Sequence, residues 1–450
     1  MTNKKRIVII GGGTVMYNSC HFAACSPAYG TTPRLIERFC QQRFNDDDYN
    51  GDVCKSDNII EVWTYLTKMA GVGPIFKEFK QKYPKERATY ARMEELDFKP
   101  TTLETNYDVE KLVDQIIQDD TTRIVFFPVA MCDWVPADEK AGKYSERLKT
   151  SEHNEITIRF KPAPKVINKI RAARKDIFLV GFKTTTGYTE DQQYVAGLNL
   201  CKQASCNLVL ANDTVTRMNM VVTPEEARYH VTKDRETALA GLIDMTWHRT
   251  HLNFTRSTVI GGNPIPWDSE LIPPNLRTVV NYCIQQNAYK PFNGVTAGHF
   301  ACRISDNNFL TSIRKTNFND LPKNGLVLIK TDGPDTVLAY GAKPSVGGQS
   351  QRIVFNDHPG YDCIVHFHCP LKDGSEVPVV SQREFECGSH QCGNNTSKGL
   401  KQFGNLKAVF LDQHGPNVVF SRDIDPLEVI NFIEANFDLS QKTGGFVSGH

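Results

Sequence analysis

The segment Ile7-Val8-Ile9-Ile10-Gly11-Gly12-Gly13-Thr14 decides the fold of the first half of the chain. Its four consecutive apolar residues are typical of a strand covered on both faces, and the glycines predict a tight turn from strand to helix. Glycines also let the backbone approach a phosphate group, whose oxygens bind free amide groups. Because the GxGxxG spacing is absent, the tight turn and the phosphate loop both stay open as interpretations.

Apolar runs and helix-spaced apolar residues alternate from this segment as far as about residue 250. Helical spacing occurs near residues 109–117 and 166–170, and Thr189 with Gln192 predicts a capping box at the start of another helix. Strands separated by such helices predict an α/β domain with a doubly wound, mostly parallel, Rossmann-like sheet over residues 1–250. The further predicted strands are Arg123–Val129, Ile177–Phe182 and Asn207–Ala211.

The composition changes between residues 251 and 275, where two glycines and four prolines are concentrated. This stretch predicts a linker or an irregular entry into a second domain. Residues 276–450 are dominated by strand-like segments and predict a second α/β domain of the α+β type. Its last helix is predicted to begin with Asp425 as N-cap, Pro426 as first helical residue and Glu428 as capping-box partner.

The composition of the 450-residue chain argues against several classes of protein. Lys and Arg total 52 while Asp and Glu total 51, and this near-balance predicts no nucleic-acid partner. No stretch approaches the length of a membrane span, and Ile7–Ile10 is too short for the core of a signal peptide. The 13 cysteines have no repeated spacing, which predicts reduced thiols and a cytoplasmic protein. Cys387, His390 and Cys392 cluster locally but lack the paired spacing of a structural zinc site.

Charged and polar residues follow the predicted strands of the first half, at the edge where open α/β sheets bind ligands. Lysines there suit phosphates, an aspartate suits a base or sugar, and a phenylalanine can stack on a base. Taken singly, such lysines are equally typical of solvated loops. The segments are Ala130-Met131-Cys132-Asp133-Trp134, Gly142-Lys143 with Lys149, Lys161-Pro162-Ala163-Pro164-Lys165, Gly181-Phe182-Lys183 and Leu210-Ala211-Asn212-Asp213.

In this order, and with the glycine segment before them, residues 1–245 resemble phosphopantothenoylcysteine synthetase, the C-terminal half of the bacterial bifunctional pantothenate flavoprotein. In that family a nucleoside triphosphate activates a carboxylate, and the amine of cysteine then attacks to form an amide. The resemblance implies CTP or ATP with Mg²⁺ as cofactor and Lys183 as a candidate catalytic residue. The residues implied to bind the cofactor are Gly11, Gly12, Gly13, Thr14, Ser26, Asp133, Lys143, Lys149, Lys165, Phe182, Lys183, Asn212 and Asp213.

One position departs from the pattern of this family. The family's second loop resembles TNxSSG, with an asparagine that serves the acyl-nucleotide intermediate. Aligning this chain on Ser26 and Gly30 puts Ala23 at that position, and Asn18 is out of register. The departure bears on the ligase chemistry more than on nucleotide binding, and the segment around Phe182 does not distinguish CTP from ATP.

His366-Phe367-His368 is the sharpest local feature of the second half. On a strand, residues i and i+2 point to the same face, so two imidazoles at this spacing can bind one divalent ion. His414 is a candidate third ligand, since it follows the predicted strand Ala408–Leu411. Histidine pairs on strands are also common as core or surface residues, and the spacing alone leaves both interpretations open.

The segments around these histidines resemble the class II aldolase/adducin family over residues 270–440. The resemblance implies a zinc ion, or another divalent metal, held by His366, His368 and His414, which polarises a carbonyl or enediolate oxygen beside the bond that breaks. It also implies Ser312 and Ser345 as phosphate contacts. The segments that carry it are Gly298–Ile304, Phe309–Ser312, Lys343-Pro344-Ser345, Val365–Pro370 and Gln413-His414-Gly415.

This half also departs from its family at two positions. The family pattern PSxE places a glutamate where this chain has Gly347, and His299 stands where an asparagine is expected in the phosphate loop. A general base must lie within reach of the proton that it abstracts. Glu384 and Glu386, in the segment Arg383–Asn395, are the candidate catalytic residues for this general base.

Two classes of function follow from the sequence. The first is a bifunctional enzyme, a phosphopantothenate–cysteine ligase-like half fused to a zinc-dependent class II aldolase-like lyase, with small phosphorylated substrates. The second is a catalytically divergent nucleotide- and metal-binding protein with a structural or regulatory role. Because both resembled families form oligomers, a homo-oligomer is predicted as well.

Overall fold

The chain forms two compact units in the computed structural model, which describes residues 5–45, 60–72, 101–152, 155–333, 336–345 and 348–444. The first unit comprises residues 1–187, 196–221 and 230–246, and the second comprises residues 188–195, 222–229 and 247–450. Two short segments that precede residue 230 therefore belong to the second unit. Parallel and antiparallel sheets both occur, so the predicted mixed α/β class is confirmed.

The first half of the chain carries twelve of the described strands and six of the described helices. The strands are β1 (Lys5–Gly13), β2 (Val15–Ser19), β3 (Phe22–Cys25), β4 (Ile60–Leu66), β5 (Thr122–Phe127), β6 (Val129–Ala130), β7 (Trp134–Pro136), β8 (Phe160–Pro162), β9 (Phe178–Thr185), β10 (Leu208–Asp213), β11 (Asn219–Val222) and β12 (Arg228–Thr232). The helices are α1 (Thr31–Asn45), α2 (Lys68–Val72), α3 (Asn106–Gln118), α4 (Ile167–Ala173), α5 (Glu190–Gln203) and α6 (Arg235–Thr250).

The first sheet is built around the N-terminal apolar strand. Its order is β12-β11-β10-β9-β5-β1-β4, with β6 beside β1. Strands β4, β1, β5, β9 and β10 run parallel to one another, so their carboxyl ends share one edge. Ile7–Ile10 are buried on β1, an interior strand between β5 and β4, as the continuous apolar run predicts.

The three glycines after Ile10 extend β1 and do not form a turn into a helix, so that interpretation was wrong. Gly12 and Gly13 pair with β6, and the chain continues into the β2–β3 hairpin before α1 begins at Thr31. A Cβ atom at Gly11 would lie 2.3 Å from Cγ of Pro33, and one at Gly13 would lie 2.0 Å from the carbonyl oxygen of Ser26. The glycines are required because neighbouring segments approach this strand end closely.

The capping box at the start of α5 is confirmed. The backbone N–H of Thr189 donates to the side-chain oxygen of Gln192, 3.0 Å away, and the N–H of Gln192 donates to the hydroxyl of Thr189, 3.3 Å away. Two N–H groups that the helix itself cannot pair are thereby satisfied. The motif worked as a predictor because it depends only on neighbouring residues.

The second half carries the remaining described strands and helices. The strands are β13 (Arg256–Ile260), β14 (Pro291–Phe292), β15 (Val295–Thr296), β16 (His299–Ser305), β17 (Asn308–Ser312), β18 (Leu326–Thr331), β19 (Thr336–Tyr340), β20 (Cys363–His366), β21 (Val379–Val380), β22 (Lys401–Phe403), β23 (Leu406–Leu411) and β24 (Gly415–Phe420). The α-helices are α7 (Pro274–Gln285), α8 (Leu321–Asn324), α9 (Gly348–Asp357), α10 (His390–Gly399) and α11 (Pro426–Asn436), and Phe318–Asp320 form a 3₁₀ turn.

The second sheet has the order β13-β19-β18-β17-β16-β20-β24-β23-β21, and β22 pairs with β23. Most neighbours are antiparallel, while β13–β19 and β21–β23 are parallel. Side chains alternate between two apolar clusters along β20, since Cys363 and Val365 belong to one cluster and Ile364 to the other. This sheet is therefore covered on both faces, which makes polar side chains at its strand ends unusual.

Two predictions for the second half need correction. The stretch predicted as a linker contains β13, the edge strand of the second sheet, and the buried Trp267. Asp425 does cap α11, accepting from the N–H of Leu427 at 2.9 Å, but Glu428 accepts hydrogen bonds from Asn405 and does not complete a capping box. The long-range partner competes successfully because the β22–β23 turn, which carries Asn405, lies beside the helix start.

None of the described helices combines the length and the apolarity that crossing a bilayer requires.

Candidate metal centre

The predicted histidines lie where three strands of the second sheet end or begin. His366 is the last residue of β20, His368 follows two residues later, and His414 lies in the tight turn between β23 and β24. Leu411 and Gly415 pair across that turn, and a Cβ atom at Gly415 would lie 2.1 Å from the carbonyl oxygen of Phe367. Glycine at this position therefore lets the turn approach the backbone between the other two histidines.

The three imidazoles converge on one point. One ring nitrogen from each of His366, His368 and His414 lies within 4.8 Å of the other two, and all three residues are buried. Nε2 of His366 and Nε2 of His414 are 3.2 Å apart. Two nitrogens bound to one tetrahedral zinc ion at about 2.0–2.1 Å are separated by roughly 3.3 Å, so this pair already has ligand spacing.

Hydrogen bonding orients one of the rings and leaves another incomplete. Nδ1 of His366 lies 2.7 Å from the carbonyl oxygen of Pro416. Because a carbonyl only accepts, Nδ1 carries the proton and the lone pair of Nε2 faces His414. Among the described residues, Nδ1 of the buried His414 has no hydrogen-bond partner. The three imidazole nitrogens are the donor set that a zinc-type ion takes, so the cluster fits a metal ion.

Burial keeps these imidazoles uncharged. It lowers the pKa of His366 and His414 well below the ordinary value of 6.5, and the neighbouring imidazoles lower it further. Neutral rings keep the lone pairs that metal binding requires.

A fourth histidine and a glutamine complete the buried polar group. His299 on β16 is the register partner of His366, with the two ring centroids 4.7 Å apart. Its Nδ1 lies 2.6 Å from Nε2 of Gln351, and Oε1 of Gln351 accepts from the hydroxyl of Thr311 at 2.8 Å. Burial lowers the pKa of His299 to about 3, so this ring is also neutral. Sequence reasoning missed Gln351, since nothing in the local pattern separates it from an ordinary helix residue.

The two serines predicted to contact phosphate are neighbours. The backbone N–H of Ser345 donates to the carbonyl oxygen of Ser312 at 2.9 Å. The hydroxyl of Ser312 is fully buried and, within the described part of the chain, has no hydrogen-bond partner. The expected glutamate position, Gly347, lies outside the described residues.

The candidate bases Glu384 and Glu386 have other contacts. Glu384 accepts from the hydroxyl of Ser381 at 2.8 Å and pairs with Arg383 at 2.7 Å. Glu386 contributes negative charge near the buried guanidinium of Arg249. The acid that does face the histidines is one that the sequence did not indicate: Oε2 of Glu226 is 3.8 Å from Nδ1 of His368.

In the first unit, the structure brings together some of the predicted cofactor-binding residues. Lys165 and Asp133 form an exposed ion pair, with Nζ and Oδ1 2.5 Å apart. Lys143 pairs with Glu104, and Lys149 pairs with Glu152 at 2.8 Å. These lysines therefore neutralise nearby carboxylates in this structure.

The remaining predicted residues of the first unit lie mostly at strand ends. Phe182 and Lys183 are half-buried near the end of β9. Asn212 and Asp213 end β10, and Asp213 accepts three backbone N–H groups, from Gly187, Val215 and Thr216, at 2.8–3.1 Å. That role holds two loops in place. Thr14 accepts at its carbonyl from the N–H of Ser26 at 3.0 Å, and Ala23 lies exposed on β3.

Comparison with known proteins gives partial likenesses. No protein-family model matches the chain. A stretch of 65 residues, 14% of the chain, is 31% identical to the coenzyme A biosynthesis bifunctional protein CoaBC of Thermococcus kodakarensis and covers 16% of that protein. The chain thus spans about a sixth of the length of the curated relative that it matches.

Two solved structures are each similar to part of the chain. The DNA/pantothenate metabolism flavoprotein from Streptococcus pneumoniae shares 17% identity over 54% of this chain and 100% of its own, with a TM-score of 0.38. An L-fuculose 1-phosphate aldolase shares 14% identity over 37% of this chain and 85% of its own, with a TM-score of 0.28. A pantothenate metabolism flavoprotein and a fuculose-phosphate aldolase are thus both among the structural neighbours, each over part of the chain.

Proposed function

We propose that the second unit is a metal-dependent lyase of the class II aldolase type that acts on a small phosphorylated substrate. The observation that carries this proposal is the convergence of His366, His368 and His414 in a buried cluster with ligand spacing. Neutral imidazole nitrogens that face one another in the protein interior are the donors that a zinc-type cation takes.

Each group of residues has a distinct role in this proposal. His366, His368 and His414 hold a zinc-type ion, and the carbonyl of Pro416 keeps His366 in the tautomer that binds. When bound, such an ion supplies Lewis acidity at a carbonyl oxygen, which eases cleavage of the adjacent C–C bond. Ser312, whose hydroxyl lacks a partner in the described structure, and Ser345 are proposed to donate to a substrate phosphate.

Metal analysis of the purified full chain tests the proposal. We expect close to one zinc-type ion per chain in the wild type, and loss of that ion in His366→Ala. The surface variant His21→Ala is a matched control, because His21 is exposed and far from the cluster in sequence. A wild-type chain without stoichiometric metal would contradict the metal site, and a metal-loaded chain that cleaves no sugar phosphate would leave only a binding role.

We also propose that the first unit binds CTP or ATP with Mg²⁺ and has phosphopantothenate–cysteine ligase-like chemistry. The local similarity to a coenzyme A biosynthesis protein supports this second function. The exposed Lys165 and Asp133 are available to exchange each other for a triphosphate and its metal ion. Release of pyrophosphate from CTP or ATP in the presence of 4′-phosphopantothenate and cysteine tests it, with Lys183→Ala as the variant that loses turnover.

A nucleotide- and metal-binding protein without turnover is the alternative. Stoichiometric binding of metal and nucleotide without either reaction would support it. Ala23, at the position where the synthetase family has an asparagine, favours this outcome for the ligase reaction. We propose in addition that the protein is cytoplasmic and forms a homo-oligomer. Light scattering of the full chain tests the oligomeric state.

A further inference from the structure

A carboxylate from the first half of the sequence lies beside the proposed metal centre. Glu226 is in the turn between β11 and β12, a segment that belongs to the second unit. Its Oε2 is 3.8 Å from Nδ1 of His368, and the two side chains are only 4% and 7% exposed. At this distance, which is longer than a hydrogen bond, Oε2 of Glu226 acts on Nδ1 of His368 electrostatically.

The turn holds Glu226 in a defined conformation. Glu226 has a φ of 69°, in the left-handed region that non-glycine residues rarely adopt. Its N–H donates to the carbonyl oxygen of Thr223 at 3.0 Å, and its own carbonyl oxygen accepts from the hydroxyl of Tyr194 at 2.6 Å. A strained residue persists only where its surroundings over-determine it. The backbone position from which this side chain extends is therefore fixed by the fold.

A buried lysine compensates the charge of this carboxylate. Nζ of Lys442 lies 2.6 Å from Oε2 of Glu226 and 3.3 Å from the hydroxyl of Tyr194. The next residue, Thr443, donates its N–H to the carbonyl oxygen of His368 at 3.0 Å. The C-terminal segment thus brings Lys442 to the same carboxylate oxygen that lies near His368.

This arrangement differs from an ordinary buried ion pair. One carboxylate oxygen, Oε2 of Glu226, lies near both Lys442 and His368, so the pair also faces the histidine cluster. A carboxylate next to Nδ1 favours the tautomer in which Nδ1 carries the proton, which leaves the lone pair on Nε2. It also supplies negative charge close to the point where a divalent cation would be buried.

We infer that Glu226 is a positioning residue of the metal centre, which sets the tautomer of His368 and strengthens metal binding, and that Lys442 weakens this effect by sharing the carboxylate. The inference rests on the proposed metal site. It means that the affinity of the second unit for metal depends on a turn encoded in the first half of the sequence.

The two residues of the pair are predicted to act in opposite directions, which gives a sharp test. Zinc dissociation constants of the full chain are measured by competition with a chromogenic chelator for wild type, Glu226→Gln and Lys442→Met. We expect Glu226→Gln to bind zinc about 10–100-fold more weakly. We expect Lys442→Met to bind it roughly tenfold more tightly, because the freed carboxylate then acts on the metal alone.

Controls separate this effect from damage to the fold. Unfolding of each metal-free variant is followed in parallel, and Glu428→Gln, which changes a carboxylate bound to Asn405 in the same unit, should leave zinc affinity unchanged. If Glu226→Gln does not fold, the zinc dissociation constant of Lys442→Met decides between the outcomes. Tighter binding than wild type supports the inference, and unchanged or weaker binding overturns it.

The outcomes distinguish the inference from the proposed function. A wild-type chain that binds no zinc removes the metal site itself. Wild-type binding with an unchanged Glu226→Gln constant overturns the role of Glu226 while the site stands. Weaker binding in both variants assigns the pair to folding and also overturns the inference. Opposite shifts in the two variants support it.

Discussion

The predicted metal ligands of the second unit are buried and converge, whereas Lys165 and Asp133 of the first unit are exposed and neutralise each other. Three imidazoles lie within 4.8 Å of one another in the interior of the second unit. In the first unit, Lys165 and Asp133 form an ion pair with side chains 64% and 73% exposed. A buried polar cluster must be completed by a specific ligand, while an exposed pair exchanges freely with water and ions.

The comparison extends to the charged pairs of the two units. Arg249 and Glu225 in the second unit form an ion pair with both side chains 0% exposed. The guanidinium of Arg249 also donates to the carbonyl oxygens of Arg383 and Gln382, at 3.0 and 3.4 Å. Polar groups in this unit are thus placed by the tertiary structure, and changing one of them should be far more costly than changing a surface pair.

The largest expected effect is on the buried pair. Arg249→Met leaves the carboxylate of Glu225 without its cation in the protein interior. We expect the free energy of unfolding to fall by about 3–5 kcal/mol. Chemical denaturation of the full chain measures this, with the exposed Arg256→Met as the matched control. If Arg249→Met lowers the free energy of unfolding less than the control does, Glu225 is solvated without Arg249. Buried pairs of the second unit would then be no more costly to change than surface pairs of the first.

The second largest effect is expected at Glu37, a buried acid of the first unit. It tests whether that unit also contains polar groups whose burial affects stability. Burial raises the pKa of Glu37 from its ordinary value of 4.5 to about 7, against a smaller opposing effect of Arg34. The folded state therefore binds the proton more tightly than the unfolded state, so stability falls as pH rises from about 4.5 to 7 and stays low above it. The expected size of this decrease is about 3 kcal/mol.

Replacing that acid should remove the pH dependence. In Glu37→Gln the amide cannot ionise, so the decrease in stability between pH 5 and pH 8 should be smaller than in wild type by about the same amount. Unfolding curves at both pH values measure it, and the exposed Glu139→Gln should retain the wild-type slope. An unchanged slope in Glu37→Gln would mean that Glu37 is ionised in the folded protein throughout this range.

The smallest expected effect on stability is at the surface pair of the first unit. Lys165→Ala removes the partner of Asp133, and we expect the free energy of unfolding to change by less than about 1 kcal/mol. The same variant should bind CTP or ATP roughly tenfold more weakly, since a charge-assisted contact to phosphate is lost. Calorimetric titration with each nucleotide measures this. A large loss of stability with unchanged nucleotide binding would reverse the assignment of Lys165.

Local patterns predicted the parts of the fold that depend on neighbouring residues. The continuous apolar run at Ile7–Ile10 forms a buried interior strand, and Thr189 with Gln192 form the expected capping box. The predictions that needed distant partners were less successful. Glu428 binds Asn405 in place of the helix start, and the glycines after Ile10 pair with β6 because segments remote in sequence approach them.

The sequence by itself determined the mixed α/β class, the spacing of His366 and His368, and His414 as the third candidate ligand. Strand alternation and residue chemistry suffice for these, because they are properties of short segments. Only the tertiary structure decided that the three rings meet and that Glu226 faces His368 from a turn about 140 residues earlier. Such contacts depend on the pairing order of distant strands, and no local pattern encodes that order.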